Sequence, residues 1–359
     1  MKTLSSRTAG FTDSVIRRMT RVSNRYGAVN LSQGFPDFDP PQEILKRLAE
    51  VSGEDYNQYS ITWGAQNLRE GIAQKQRRYM GMDIDPDREI VVTCGSTEAM
   101  MAAVMTVTDP GDKLIIFSPF YENYGADVIL SGAEPIYVPL RPPAFDFDPE
   151  ELELIAGLAE KYDTYVITDE VYEHIVYKPY QHVYFASLPG MRERTICCSS
   201  LSKTYSITGW RLGYIIAPEP IAERAKKVHD FLTVGAAAPL QEAVVPGLYF
   251  EQRYYDELLA LYTHKRDLLL KGLDEIGIVH NVPQGAYYVM LDISKYGYAS
   301  DLEFCEVLAR DVGVGAVPGS SFFREPVNHL IRLHFAKKDE TLQEALRRLE
   351  TIDQKIKVK

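Results

Sequence analysis

The stretch Glu89–Pro119, "EIVVTCGSTEAMMAAVMTVTDPGDKLIIFSP", sets two short apolar runs on either side of a helical pattern. "EIVVTCG" reads as a strand, "STEAMMAAVMTVT" as a helix stopped by "DPGD", and "KLIIFSP" as the next strand. Runs this short, apolar and β-branched suit strands buried on both faces. Strand–helix alternation predicts a mainly parallel sheet with helices on both sides. The pattern continues through "YGADVILSGA" as a helix and "EPIYVPL", "TYVITDE", "RTICCSS" and "LGYIIAP" as strands.

Beyond residue 220 helices dominate, among them "YYDELLALYTHKRDLLLKGLDEIG". A smaller α+β segment follows, with the strands "GAYYVMLDI" and "HLIRLHFA", and the chain ends on the helical "KDETLQEALRRLETIDQKIK". The expected fold is α/β, with a large domain over 40–265 built on a mainly parallel central sheet flanked by helices. A small α+β domain would span 266–359, with 1–39 as an N-terminal arm and part of that small domain.

With 359 residues the chain exceeds what one modest core organises. Its net charge of −11 argues against a partner such as nucleic acid. Cys94, Cys197, Cys198 and Cys305 form no C-x-x-C pair and sit mostly in apolar stretches, which predicts buried free thiols in a reducing compartment. No run of ~18 apolar residues suggests a membrane span. The start, "MKTLSSRTAGFTDSVIRRMTRVSNR", is basic and Ser-rich as a transit peptide would be, but it has no apolar core and runs into structured-looking sequence. A cytoplasmic protein is the expectation.

In an open parallel sheet ligands bind beyond the carboxyl ends of the strands. The polar residues there are Gly95-Ser96-Thr97, Pro119-Phe120-Tyr121, Asp169-Glu170-Val171-Tyr172 and Ser200 to Lys203. A phosphate cradle, a ring-stacking aromatic, a carboxylate and an amine would thus converge on one crevice. The last stretch, Ser199–Tyr214 "SSLSKTYSITGWRLGY", admits two readings. Ser200-Leu-Ser-Lys203 fits the S-x-x-K pattern of acyl-serine enzymes. Alternatively Lys203 is the nucleophile, an amine that joins an aldehyde as a Schiff base.

Nine stretches resemble, in order, those of fold-type I aminotransferases dependent on pyridoxal 5′-phosphate (PLP), the aspartate aminotransferase superfamily. They are "NLSQGFPDF", "QYSITWGAQNLRE", "TCGSTEAM", "SPFYENY", "VITDEVYE", "SSLSKTYSITGWRLGY", "PQGAYYV", "PGSSFF" and "IRLHFA". "NLSQGFPDF" most resembles the branch containing kynurenine, glutamine, methionine and aromatic aminotransferases. The resemblance implies that Lys203 carries the cofactor and then moves the substrate's Cα proton. Asp169 would pair with the pyridine nitrogen, Tyr172 would hydrogen-bond the ring's 3′ oxygen, and Tyr121 would stack on the ring. Ser96 and Thr97 would hold the phosphate at a helix N-terminus, with Ser200 and Arg211 completing the cradle.

Tyr59 matches a tyrosine that the family donates across a homodimer interface to the neighbouring phosphate. Arg332 would take the substrate α-carboxylate, since an unpaired cation inside an apolar run is costly. Gly34 would admit the substrate closely, and Phe35, Trp63 and Phe322 would shape the side-chain pocket. Amino-acid and 2-oxo-acid substrates, the acceptor being 2-oxoglutarate, complete the expectation; aromatic, kynurenine-like and aspartate donors all stay open.

One family hallmark is missing. The asparagine of an N-P-x-N-P-[ST]-G turn, which hydrogen-bonds the 3′ oxygen opposite the tyrosine, has no counterpart between Asn123 and Asn281. In "FDFDPEELELIAGLAEKYDTYVITDE" the acidic turn "DPEELE" runs directly into "LIAGLAEKYD". A strand–loop–helix element of about 25 to 30 residues is absent there. Either the gene lacks it or the sequence omits a segment; loss of a central strand would leave its neighbours' backbone groups unpaired.

The other readings fare worse. Acyl-serine enzymes also need S-D-N-like and K-T-G motifs, and this chain has Lys203-Thr204-Tyr205 and no S-D-N. "GVGAVPG" is one residue too long for a dinucleotide fingerprint, a P-loop is absent, and no Cys/His cluster suggests a metal. Within PLP chemistry a β-eliminating C–S lyase, or a non-catalytic protein of the same fold, remains the alternative.

Overall fold

The structure is a computed structural model that describes residues 3–140, 145 and 147–359. Its strands are β1 (Val29–Asn30), β2 (Ile90–Thr93), β3 (Lys113–Ser118), β4 (Glu134–Pro139), β5 (Val166–Asp169) and β6 (Thr195–Ser200). They continue as β7 (Gly213–Ile216), β8 (Tyr288–Asp292), β9 (Val314–Gly315), β10 (Val317–Pro318) and β11 (Leu330–His334). Each strand expected from an apolar run is present, and so is each helix between them. The C-terminal helix is broken into Asp339–Leu349 and Ile352–Lys355.

The large sheet falls into two pieces, ordered β2–β7–β6–β5 and β3–β4. The expected parallel pairs are β5/β6 and β3/β4, whereas β7 runs antiparallel to both of its neighbours. Between β6 and β7 the segment 201–212 holds only the 3-10 turn Thr208–Trp210 as regular structure. A parallel return needs a crossover, so this chain reverses instead. The reversal turns Lys203 and Arg211 towards the same end of the sheet as Asp169.

Among the described residues no strand pairs with β5 on its outer edge or with β3 opposite β4. This is where the sequence lacks its strand–loop–helix element. The burial follows the break. Strands β2, β6 and β7 are buried throughout, as expected for two-sided cover. Strands β3, β4 and β5 are only partly so. Ile115 in the middle of β3 is 61% exposed. "DPEELE" and "LIAGLAEKYD" form a single helix, Pro149–Lys161, capped by a reciprocal Asp148–Glu151 box; Asp146 at the seam lies outside the described residues.

Two cores serve the two parts. One gathers Met19, Leu31, Tyr262, Tyr287, Phe304, Leu333 and Phe335, joining the N-terminal helix Val15–Tyr26 to the C-terminal α+β segment. The other packs Ile72, Val92, Cys197, Tyr205, Tyr214 and Val244 around the four-stranded piece. Among the described residues no helix is long and apolar enough to cross a membrane. All four cysteines are free thiols, three of them buried and Cys94 partly so.

Candidate active site

A cavity of about 1190 Å³ lies at the carboxyl ends of β5 and β6, between the two cores. Gly34, Ser96, Thr97, Tyr121, Asp169, Tyr172, Ser200, Lys203, Arg211 and Arg332 all line it. Residues up to 298 positions apart in sequence therefore share one chamber, as the strand-end argument requires.

Asp169 closes β5. Its Oδ2 accepts a hydrogen bond from the Tyr124 hydroxyl at 2.7 Å and its Oδ1 one from the Val171 amide at 3.3 Å. Enclosure by the cleft walls raises its pKa, while those two donors oppose the rise. The loop after β5 is held by Glu173, whose carboxylate takes Lys75 Nζ at 2.6 Å, Gln76 at 2.9 Å and the Tyr184 hydroxyl at 2.6 Å. Burial raises the Glu173 pKa, but Lys75 and these donors outweigh it and leave the carboxyl well below its ordinary range. That fixed anion anchors Tyr172 one residue before it.

Lys203 follows β6. Its Nζ lies 3.4 Å from the Gly34 carbonyl, 5.5 Å from the Tyr287 ring and 5.9 Å from the Tyr172 ring. Gly34 also accepts from the Tyr287 hydroxyl at 2.8 Å, and a Cβ there would collide with the Tyr288 and Tyr287 rings. The absence of a side chain at 34 is therefore a steric requirement.

The phosphate-sized end is built of glycines. Gly95 has φ +82 and precedes the helix Ser96–Val107. A Cβ on Gly95 would strike the Arg211 guanidinium, and one on Gly213 would sit 2.5 Å from the Ser96 amide nitrogen. Arg211 itself adopts the left-handed φ of 56 and donates to the Thr208 carbonyl at 3.0 Å. A helix N-terminus with its first-turn amides and a guanidinium thus meet at one spot, which suits a dianion. Ser200 turns its hydroxyl to the Leu212 carbonyl at 2.9 Å and accepts from the Ser202 amide at 3.0 Å. The Ser202 hydroxyl, buried and without a partner among the described residues, also lines the cavity, within the strand-end run Ser200 to Lys203.

Arg332 on β11 is 8% exposed and lies between two rings, 4.0 Å from Tyr288 and 4.1 Å from Phe322. Its Nε has no hydrogen-bond partner among the described residues. A buried guanidinium with an idle donor calls for an anion, and a carboxylate fits its fork. Phe35 and Phe322 line the cavity as expected; Trp63 does not, packing instead against Lys226 at 5.0 Å. Tyr59 lies outside it, 89% exposed, on a second hollow formed with Val234–Pro239. Nothing local in the sequence marks Tyr124, Tyr287 and Tyr288 apart from core aromatics.

A carboxylate, an amine, the Tyr121 ring and an arginine beside a helix N-terminus thus share one cavity at the C-terminal end of a wound sheet. The chain belongs to the aminotransferase class I and II family, whose profile matches residues 26–146 and 142–349. The two matched stretches meet at 142–146, where the sequence lacks its element. Methionine aminotransferase of Escherichia coli K12 is 37% identical over 370 residues, covering 94% of this chain and 95% of the relative. That alignment is longer than the 359-residue chain itself, so the relative carries residues this chain lacks.

Human kynurenine–oxoglutarate transaminase 1 is 30% identical over 90% of this chain and 92% of its own. Among solved structures, N-succinyldiaminopimelate aminotransferase from Mycobacterium tuberculosis superposes with TM-score 0.93 at 36% identity, covering 98% of this chain and 100% of its own. The protein is a PLP-dependent aminotransferase of fold type I.

PLP, when bound, supplies an electron sink for the charge left at the amino acid's Cα.

Proposed function

We propose that the amino donor is an L-amino acid with an apolar, thioether or aromatic side chain, and the acceptor is 2-oxoglutarate. The observation that carries this is the lining of the cavity, to which Ile16, Phe35, Tyr121, Met290 and Phe322 contribute apolar surface and the N-terminal helix contributes the cation Arg17. The apolar walls suit the donor. Arg17, on the N-terminal helix, is the second arginine that an acceptor with two carboxylates requires. Such a pocket must accept both substrates in turn, and an exposed arginine can swing aside at little cost.

In this reading Lys203 carries the cofactor and moves the proton between Cα and the cofactor. Asp169, steadied by Tyr124, keeps the pyridine nitrogen protonated. Tyr172 donates to the 3′ oxygen, and Tyr121 covers the ring face. The Ser96 and Thr97 amides, Ser200 and Arg211 bind the phosphate, and Ser202 adds a hydroxyl. Arg332 grips the α-carboxylate and Gly34 leaves room for it. The residues fit the cofactor at every position but the missing asparagine.

We further infer a homodimer in which Tyr59 of one subunit completes the phosphate site of the other. Tyr59 adjoins a stretch where Phe231 is 92% exposed and Ile61, Leu232 and Val234 are exposed as well. Apolar surface of that density is ordinarily covered by a partner. Four unpaired thiols suit a reducing compartment such as the cytoplasm. A two-domain division is in keeping with the separate cores, although the core that holds Met19 and Leu31 also takes in Ile175, Tyr177, Leu258 and Tyr262.

Steady-state kinetics of Arg17→Ala test the substrate reading. The KM for 2-oxoglutarate should rise roughly tenfold or more, with the KM for methionine or phenylalanine little changed, since only one partner loses a charge-assisted hydrogen bond. Equal rises for both substrates would remove Arg17 from this role.

A further inference from the structure

Tyr288, the first residue of β8, joins two groups that the proposed site uses separately. Its hydroxyl lies 3.1 Å from that of Tyr172, which donates to it. Its ring lies beneath the Arg332 guanidinium at 4.0 Å and edge-on to Tyr172, with centroids 6.0 Å apart and planes at 85°. Tyr287 and Lys203 complete its surroundings. Both phenols line the cavity.

We propose that Tyr288 is a positioning residue that acts through Tyr172: once the cofactor's phenolic oxygen accepts the Tyr172 proton, Tyr288 turns to donate to Tyr172 and so strengthens that bond. The inference rests on the assignment of Tyr172 to the 3′ oxygen. Phenolic protons rotate freely, so the pair reverses direction without moving a heavy atom. Chained hydrogen bonds polarise one another, each strengthening the next. The two phenols are also unequal. Burial pushes Tyr172 far above the ordinary tyrosine value. Burial pushes Tyr288 up too, but Arg332 and Lys203 outweigh it and leave this phenol below its ordinary value. The more acidic phenol is the better donor and the less acidic one the better acceptor. A donor lost with the asparagine is thereby replaced, at one remove, from β8.

The test is a pH titration of the absorbance of the cofactor-loaded protein. Hydrogen bonds donated to the phenolic oxygen stabilise the deprotonated chromophore and lower its midpoint. Tyr288→Phe should raise the midpoint by about half a pH unit, a modest fraction of one charge-assisted hydrogen bond. Incorporation of 3-fluorotyrosine at 288, a more acidic phenol of nearly equal volume, should lower it and does not perturb packing. In a Tyr172→Phe background neither change should move the midpoint, because the intermediary is gone. An unmoved midpoint in both 288 variants, or the same shift with Tyr172 removed, overturns the proposal while leaving the site intact. A wild-type protein that shows no cofactor band overturns the site assignment and this inference together.

Discussion

Asp127 sits on the helix Glu122–Leu130, buried on the wall of the cavity, with its Oδ2 unpaired among the described residues. Burial alone pushes its pKa up to about 7. The folded state therefore binds this proton more tightly than the unfolded chain. Its stability is full below about pH 4 and is lost as pH rises through 7. Asp127→Asn should leave the melting temperature unchanged at pH 4 and raise stability at pH 8 by ~1–3 kcal/mol; a variant that melts lower at pH 8 would show that the charged form is wanted there. Lys203, Asp169 and Tyr172 could be read from sequence because each lies in a local run whose order carries the chemistry. The roles of Tyr124 and Tyr288 could not, nor could that of Ser202 within its strand-end run. Their roles depend on what faces them across the cleft, and "ENY", "LSK" and "AYY" give no hint of that.

At the scale of the element, the alternation of apolar runs located every strand of the large sheet, because burial writes itself into composition. Direction was less legible: β7 is as apolar as β6, and only the length of its connection reverses it. The parted sheet was legible as an absence, in the fusion of two acidic helix starts into Pro149–Lys161. The exposed edges make this checkable by hydrogen exchange. Amides of β3 and β5 that face the break should exchange roughly tenfold or more faster than those of β6 and β7, whose ladders are complete on both sides. Equal protection would mean that another segment pairs there. Two neighbouring isoleucines on β3 point to opposite faces of the sheet. Ile116→Ala, at a buried site, should cost about 2–4 kcal/mol. Ile115→Thr, at an exposed one, should cost within about 0.5 kcal/mol. Denaturant melts of both variants decide whether β3 is covered on that face.

For the whole molecule, the two cores place Arg332 and Gly34 on one side of the cleft and Asp169, Lys203 and Arg211 on the other. The N-terminal helix bridges them, with the Ser14 hydroxyl donating to Glu122 Oε1 at 2.5 Å. The dimer reading belongs at this scale too. Phe231→Glu should shift the protein towards a monomer in light scattering and weaken cofactor retention through the loss of Tyr59 from the partner site. A variant that stays dimeric would place the interface elsewhere.

Lys203 serves an amino-group transfer between two substrates, and measuring glutamate formed from 2-oxoglutarate with a panel of amino donors, methionine and phenylalanine included, for the loaded wild type and for Lys203→Ala tests this most directly. The wild type should form glutamate in stoichiometric yield with the donor's 2-oxo acid. Lys203→Ala should be slower by about a thousandfold or more while folding normally. Ammonia and a 2-oxo acid released without any acceptor, or transfer that survives in Lys203→Ala, would contradict it.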